Sequence, residues 1–208
     1  MRRNTTQSVC RIGLVTVALL WGAAVSGQAK DKQVVLVYNQ ARVAPEVMSE
    51  AESEAARIFR EAVVAVRWVN CQVVVGNGEV HDTCRLYHGS NAIFLQILPT
   101  AGTFPNRQAL AHAAVAAEGG VRATVFFDRV QEFVQKNHPS CGLARFVGHL
   151  MAHELGHLLL SRAGHSPKGL MAGPWGPKHL VRAAEGTLLF TPEEGARMRE
   201  EVARRAGR

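Results

Sequence analysis

The sequence predicts an α+β, α/β-like fold: a twisted, mostly parallel sheet of about four or five strands packed against one long helix, with a small helical C-terminal part. Three observations predict it. The patterns run strand, helix, strand, strands, long helix, loop, helices. The strand-like runs are short and rich in β-branched or aromatic residues. The one long apolar helical pattern comes after them and needs a sheet to cover it.

Taken in order, Gln33–Tyr38 (QVVLVY) reads as a buried strand. Pro45 to Val63 is helical, because Val47, Ala51, Ala55, Ile58 and Ala62 recur at helical spacing with acids on the other faces. Val64–Asn70 and Asn91–Leu98 read as strands, the latter ended by Pro99. Gln108–Ala117 is Ala-rich and reads equally as a short helix or an edge strand. Val121–Phe127 (VRATVFF) is a strand, followed by a short helix over Asp128–Lys136. Gly142–Arg162 is the long helix, Gly164 to Gly176 a loop, and Pro177–Glu185 a short helix. Thr191 reads as an N-cap, with Pro192 at the first helical position and Glu194 completing a capping box, for a last helix running to about Arg204. No internal repeat, low-complexity tract or linker interrupts this order.

The first 29 residues read as a secretory signal. Arg2 and Arg3 form a positive start, Ile12 to Val25 is an uncharged apolar run of 14 residues, and Gly27 and Ala29 stand where a signal peptidase reads. An uncleaved anchor is the alternative, but the run is short for a membrane span and no later run approaches about 18 residues. Residues 30–208 form the expected single domain, exported to the periplasm or the medium without stable membrane insertion. Loss of Arg2, Arg3 and Arg11 with the signal lowers the formal charge from +7 to +4. That charge is too small and too scattered to argue for nucleic acid. A hydrophobic fraction of 47% excludes a largely disordered chain. Among Cys71, Cys84 and Cys141, the turn signal Gly76-Asn77-Gly78 favours a hairpin-like bridge between Cys71 and Cys84, leaving Cys141 unpaired; sequence alone does not choose among the three pairings.

The strongest chemical signal is His153-Glu154-Leu155-Gly156-His157 within that long helix. Residues four apart on a helix stand one turn apart on one face, so both imidazoles reach one ion. Glu154 is offset by about 100° from His153. That angle is wrong for a third ligand and right for a general base acting on water at the ion. The surrounding Leu150, Met151, Leu155, Leu158, Leu159 and Leu160 make polar residues costly there without a purpose. Gly164 is a natural left-handed residue to stop the helix, bringing His165 back toward the metal as third ligand. His179, Glu185 and Glu194 are rival ligands downstream, and His149, one turn before His153, reads as a core or supporting residue. Met171 lies between Gly169 and Gly173, which suggests a tight turn under the metal, or an ordinary buried methionine. Phe126, Phe127 and Trp175 are candidates to line side-chain pockets, and core residues otherwise.

The stretch HELGHLLLSRAGHSPKGLM, His153–Met171, resembles the active-site segment of the metzincin zinc peptidases: HExxH, a glycine turn, a third histidine, then a Met-turn. It covers about a tenth of the chain. The resemblance implies a zincin-like fold and a zinc-dependent endopeptidase acting on peptide or protein substrates. It implies Zn2+ held by His153, His157 and His165, Glu154 as base, and Met171 as the Met-turn residue. The family spacing HExxHxxGxxH places glycine at Leu160 and histidine at Ala163; here Gly164 and His165 come later, one step apart, which a helix about half a turn longer absorbs. The family's tyrosine after the methionine has no counterpart in Ala172-Gly173-Pro174-Trp175. Two other functions share the same residues: a zinc hydrolase of a non-peptide amide or ester, and a non-catalytic zinc-binding module on a peptidase fold. Retention of Glu154 speaks against the module, and the lack of a nearby cysteine speaks against a structural zinc site.

Overall fold

The computed structural model describes residues 32–76, 79–87, 91–115, 122–137 and 142–207. The expected signal segment at residues 1–29 and Cys141 lie outside the described residues, as does Val121, the first residue of one expected strand.

Five strands form the main sheet: β1 (Gln33–Asn39), β2 (Val66–Cys71), β5 (Ile93–Leu98), β6 (Ala111–Ala114) and β7 (Arg122–Phe126). Their order across the sheet is β2-β1-β5-β7-β6. The pairs β1–β2, β1–β5 and β5–β7 are parallel, and β6 runs antiparallel to β7. The sheet is thus mostly parallel with one antiparallel edge, as the sequence predicts. The Ala-rich segment resolves as that edge strand rather than a helix. Its small side chains satisfy either structure locally; pairing with β7 decides.

Helix α1 (Pro45–Glu61) returns the chain from β1 to β2. Helix α2 (Phe127–Asn137) follows β7, then the long α3 (Leu143–Leu159), α4 (Pro177–Ala184) and α5 (Pro192–Ala206). Strand β1 explains how the sheet is buried. Val35 and Val37 face a core shared with Ile93, Leu95, Ile97, Ala123 and Val125 and with residues of α1 and α3. Leu36 and Tyr38 face the opposite core, with Cys71, Cys84 and Ala92. Both faces of β1 are covered, so its sequence is continuously apolar instead of alternating.

After β2 comes a hairpin, β3 (Val73–Gly76) and β4 (Glu79–Asp82), and Cys84 beyond it packs into this second core. The Cys71–Cys84 disulfide, the pairing favoured from sequence, staples the hairpin. Tyr38 Oη donates to Asp82 Oδ2 at 2.9 Å. Burial, with Asp82 beside it, pushes the Tyr38 phenol up to about 12, so it remains a donor.

Helix α3 lies between α1 and the β6–β7 edge of the sheet. Its approach to α1 requires a glycine: a Cβ on Gly148 would stand 2.5 Å from the Ala51 carbonyl oxygen. Of its 17 residues, all but Leu143 and Arg145 are buried. The helix is therefore a central beam, and whatever it carries is rigidly held. Its end differs from expectation. It stops at Leu159, three residues before Arg162. Ser161, not Gly164, takes the left-handed conformation, at φ 48°. The last turn closes on itself there, the Ser161 N–H donating to the Leu158 carbonyl and the Arg162 N–H to the His157 carbonyl, while Arg197 and Arg205 of α5 add donors to the carbonyls of Leu160 and Leu158. The late third histidine is thus reached through a longer loop, not a longer helix. Among the described residues, no helix is long and apolar enough to cross a membrane.

Candidate metal centre

His153 and His157 sit one turn apart on α3, both about nineteen-twentieths buried. Their outer nitrogens are committed to backbone. His153 Nδ1 lies 2.7 Å from the Leu170 carbonyl and His157 Nδ1 lies 2.7 Å from the Arg162 carbonyl. A carbonyl only accepts, so each Nδ1 carries the hydrogen. In the neutral rings each Nε2 is then a bare lone pair, and the two Nε2 atoms stand 3.1 Å apart. Burial lowers both basicities; burial and the neighbouring His157 bring His153 down to about 3. A bridging proton is therefore disfavoured at neutral pH. Two adjacent lone pairs with protonation suppressed make a candidate cation site.

His165 completes it. Although exposed, its ring centroid is 5.3 Å from that of His153 and 5.1 Å from that of His157. Among the described residues, these three form the one group of histidine, cysteine or acidic side chains with donor atoms all within 4.8 Å of one another. Tetrahedral zinc with bonds near 2.0–2.1 Å sets its ligand atoms about 3.3 Å apart. The two helical nitrogens already suit that spacing, and three imidazoles, joined by no fourth protein ligand among the described residues, match the donor set of an open zinc site.

The rivals named from sequence stand apart from this group. Glu194 spends both carboxylate oxygens: Oε2 accepts the Thr191 N–H at 2.9 Å in the expected capping box, and Oε1 accepts the Ser166 hydroxyl at 2.5 Å. His179 is buried, stacks on Trp175 with centroids 5.9 Å apart, and accepts the Gly176 N–H on Nδ1. Glu185 is an exposed C-cap of α4. His149 is fully buried against α1, with Nδ1 3.0 Å from the Arg145 carbonyl and Nε2 3.6 Å from Glu54.

Glu154 follows His153 on α3 and is 6% exposed. Burial pushes its carboxyl up to about 8. Trp175 borders the centre, its ring 5.0 Å from His153 and 5.6 Å from Phe146. Phe126 is core, packed 5.0 Å from Phe104, which also touches the ring of His112 on β6.

Several supporting residues escape sequence reading. Gly156, inside the HExxH pentapeptide, gives clearance: a Cβ there would stand 2.7 Å from Met171 Sδ and 2.7 Å from Phe190. Met171 is accordingly buried under the helix, and Gly169 before it adopts φ 77°. The imidazole of His165 lies on Gly173, where a Cβ would meet ring atoms at 2.6–2.7 Å. Arg162 ties two of these histidines together: its carbonyl holds His157, and its guanidinium donates to the His165 carbonyl at 2.9 Å. A glycine-rich loop signals such close contacts, but not which atoms meet.

The chain shares its fold with a zinc-dependent peptidase. That structure, from Methanocorpusculum labreanum (strain Z), superposes with a TM-score of 0.53 at 14% identity, covering 79% of this chain and 99% of that one. An archaemetzincin from Methanopyrus kandleri aligns with a TM-score of 0.48 at 16% identity, covering 85% and 97%. No protein-family model and no curated protein matches the chain.

Proposed function

We propose that this protein is a zinc-dependent endopeptidase, with His153, His157 and His165 as metal ligands and Glu154 as general base. One observation carries the reading: two buried imidazoles whose Nδ1 atoms are held by carbonyls bring bare Nε2 lone pairs within 3.1 Å of each other, with a buried carboxyl group at the next position after His153 on the same helix. The zinc-dependent activity of the structural neighbour and the metzincin-like motif support it.

When bound, zinc supplies Lewis-acid polarisation of the peptide carbonyl and lowers the pKa of water toward about 7. Beside a cation, the Glu154 carboxyl is ionised despite its burial and serves as base. It takes a proton from the attacking water as the water oxygen bonds to the carbonyl carbon. It then delivers that proton to the amide nitrogen as the C–N bond breaks. The hydrogen bonds from Nδ1 of His153 and His157 to carbonyls keep both rings in the ligating tautomer.

Substrate binding is assigned to β6. The Phe126 N–H donates to the Leu110 carbonyl at 2.9 Å, and residues of an antiparallel ladder alternate in this role. Leu110, His112 and Ala114 therefore turn their backbone groups toward β7, while Ala111 and Ala113 turn theirs outward at the sheet edge. An extended peptide pairs with those groups. An open edge accepts the middle of a chain, which favours internal cleavage. We further propose that residues 1–29 are a cleaved export signal and that 30–208 is the mature domain, working outside the cytoplasm.

The test is digestion of a mixed peptide library by purified mature protein beside Glu154→Ala, with new termini read by mass spectrometry. Cuts made by the wild type, abolished by chelator and absent from the variant, are expected. Activity of the variant comparable with wild type overturns the role of Glu154. A zinc-loaded wild type that cleaves no peptide overturns the peptidase reading in favour of a non-peptide amide or ester hydrolase or a binding module.

A further inference from the structure

We infer that Glu194, acting through the hydroxyl of Ser166, is the positioning residue for the third imidazole; this rests on the reading of His165 as a metal ligand. Arg162, Ala163, Gly164 and His165 are all exposed, so packing does not hold them. What holds them is a short series of hydrogen bonds. Within the loop, the Arg162 guanidinium grips the His165 carbonyl. Immediately after His165, the Ser166 N–H donates to the Met171 carbonyl at 2.8 Å, bridging Ser166 to Ala172. This backbone bond joins the loop to its own continuation at Met171, which is buried under α3.

The Ser166 side chain adds an anchor to α5, on the other side of His165 from the one that the Arg162 carbonyl makes to His157 on α3. Its hydroxyl donates to Glu194 Oε1 at 2.5 Å, a length typical of a hydroxyl bound to a carboxylate. Glu194 is itself fixed. It is 6% exposed, at the start of α5, with Oε2 on the Thr191 N–H and its own N–H on Thr191 Oγ1 at 3.2 Å. The carboxylate thus serves two elements at once: it caps α5 and clamps the residue next to His165. Gly173 lies under the His165 ring on the returning strand of the same loop. The clamp and this floor together leave the imidazole one place to lie.

The two duties of Glu194 are separable by mutation. Ser166→Ala removes the clamp and leaves the cap. Thr191→Ala removes one capping bond and leaves the clamp. Zinc affinity is measured by chelator competition, apo-protein stability by thermal unfolding, and coordination geometry by the visible spectrum of the cobalt(II)-loaded protein. Ser166→Ala is expected to weaken zinc binding about ten- to hundredfold, alter the cobalt spectrum, and leave the apo unfolding midpoint unchanged. Ser166→Thr, which keeps a hydroxyl, restores affinity. Thr191→Ala lowers the apo midpoint by a few degrees and leaves zinc affinity at the wild-type value. If Ser166→Ala binds zinc like wild type while His165→Ala does not, the inference fails and the ligand assignment stands. If His165→Ala itself binds zinc like wild type, the ligand assignment fails and the inference falls with it. Equal loss of affinity in Thr191→Ala and Ser166→Ala also overturns the inference, because the effect then belongs to the packing of α5.

Discussion

The candidate centre has two halves built on different principles. His153, Glu154 and His157 ride on α3, where burial in a close-packed core restricts each side chain. His165 rides on an exposed loop, where glycines and a few directed hydrogen bonds do the same task. The helical half is specified by period and hydrophobicity. The loop half is specified by individual contacts. The first tolerates surface change and resists removal of a ligand least; the second is sensitive to single atoms at its hinges.

The largest expected effect tests that division directly. His153→Ala and His157→Ala each remove one of the two preorganised lone pairs, and stoichiometric zinc should be lost. His165→Ala should retain zinc, with an affinity weakened by more than the roughly ten- to hundredfold expected for loss of a supporting hydrogen bond. Metal content after dialysis and competition titration measure both. Equal loss in all three variants breaks the comparison.

The next test uses pH on chelator-treated protein. Folded Glu154 keeps its proton to about pH 8, whereas its ordinary value is 4.5. The stability associated with that raised value is fully present below the unfolded value and is lost as pH rises through the folded one. Metal-free wild type should therefore lose stability relative to Glu154→Gln between about pH 5 and about pH 9, by on the order of a few kcal/mol. Denaturant unfolding of both proteins across that range measures the difference. A flat difference denies that the carboxyl is held in apolar surroundings. His153, brought down to about 3, acts in the opposite window, losing its contribution as pH falls below its ordinary 6.5, and it is common to both proteins.

A smaller effect belongs to the loop. Gly173→Ala must displace the His165 ring, since the new methyl would overlap it. Zinc affinity should fall about tenfold with little change in apo stability. Gly156→Ala sharpens the contrast, because its methyl strikes Met171 and Phe190 under the helix. There the expected cost is about 1–3 kcal/mol of folding stability, read by denaturant unfolding. The smallest effect at the centre should come from reducing the Cys71–Cys84 bridge. It closes a hairpin beside β2, on the opposite edge of the sheet from β6. Stability should drop by about 3 kcal/mol, while zinc affinity stays unchanged.

Much of this was legible beforehand. The 33–38 run, the α1 stripe, the β5 and β7 strands and the Thr191 capping box all rest on periods or caps confined to a few residues. The ambiguous 108–117 segment was not decided locally, because alanine satisfies both structures and only β7 selects the strand. The end of α3 is also not set by its best local signal: Gly164 suits a left-handed stop, yet Ser161 takes it, with Arg197 and Arg205 of α5 paired to the carbonyls of Leu160 and Leu158 beside it.

The sequence by itself determined the helical half of the centre. A four-residue spacing on a helix brings two imidazoles to one face whatever surrounds them, and an apolar helix must be buried. Only the tertiary structure decided the third position. Residue 165 meets residue 173 on the returning loop, and residue 166 meets residue 194 on another helix. Contacts across such separations follow no local period, so they become determinate only when the sheet, α3 and α5 are packed together.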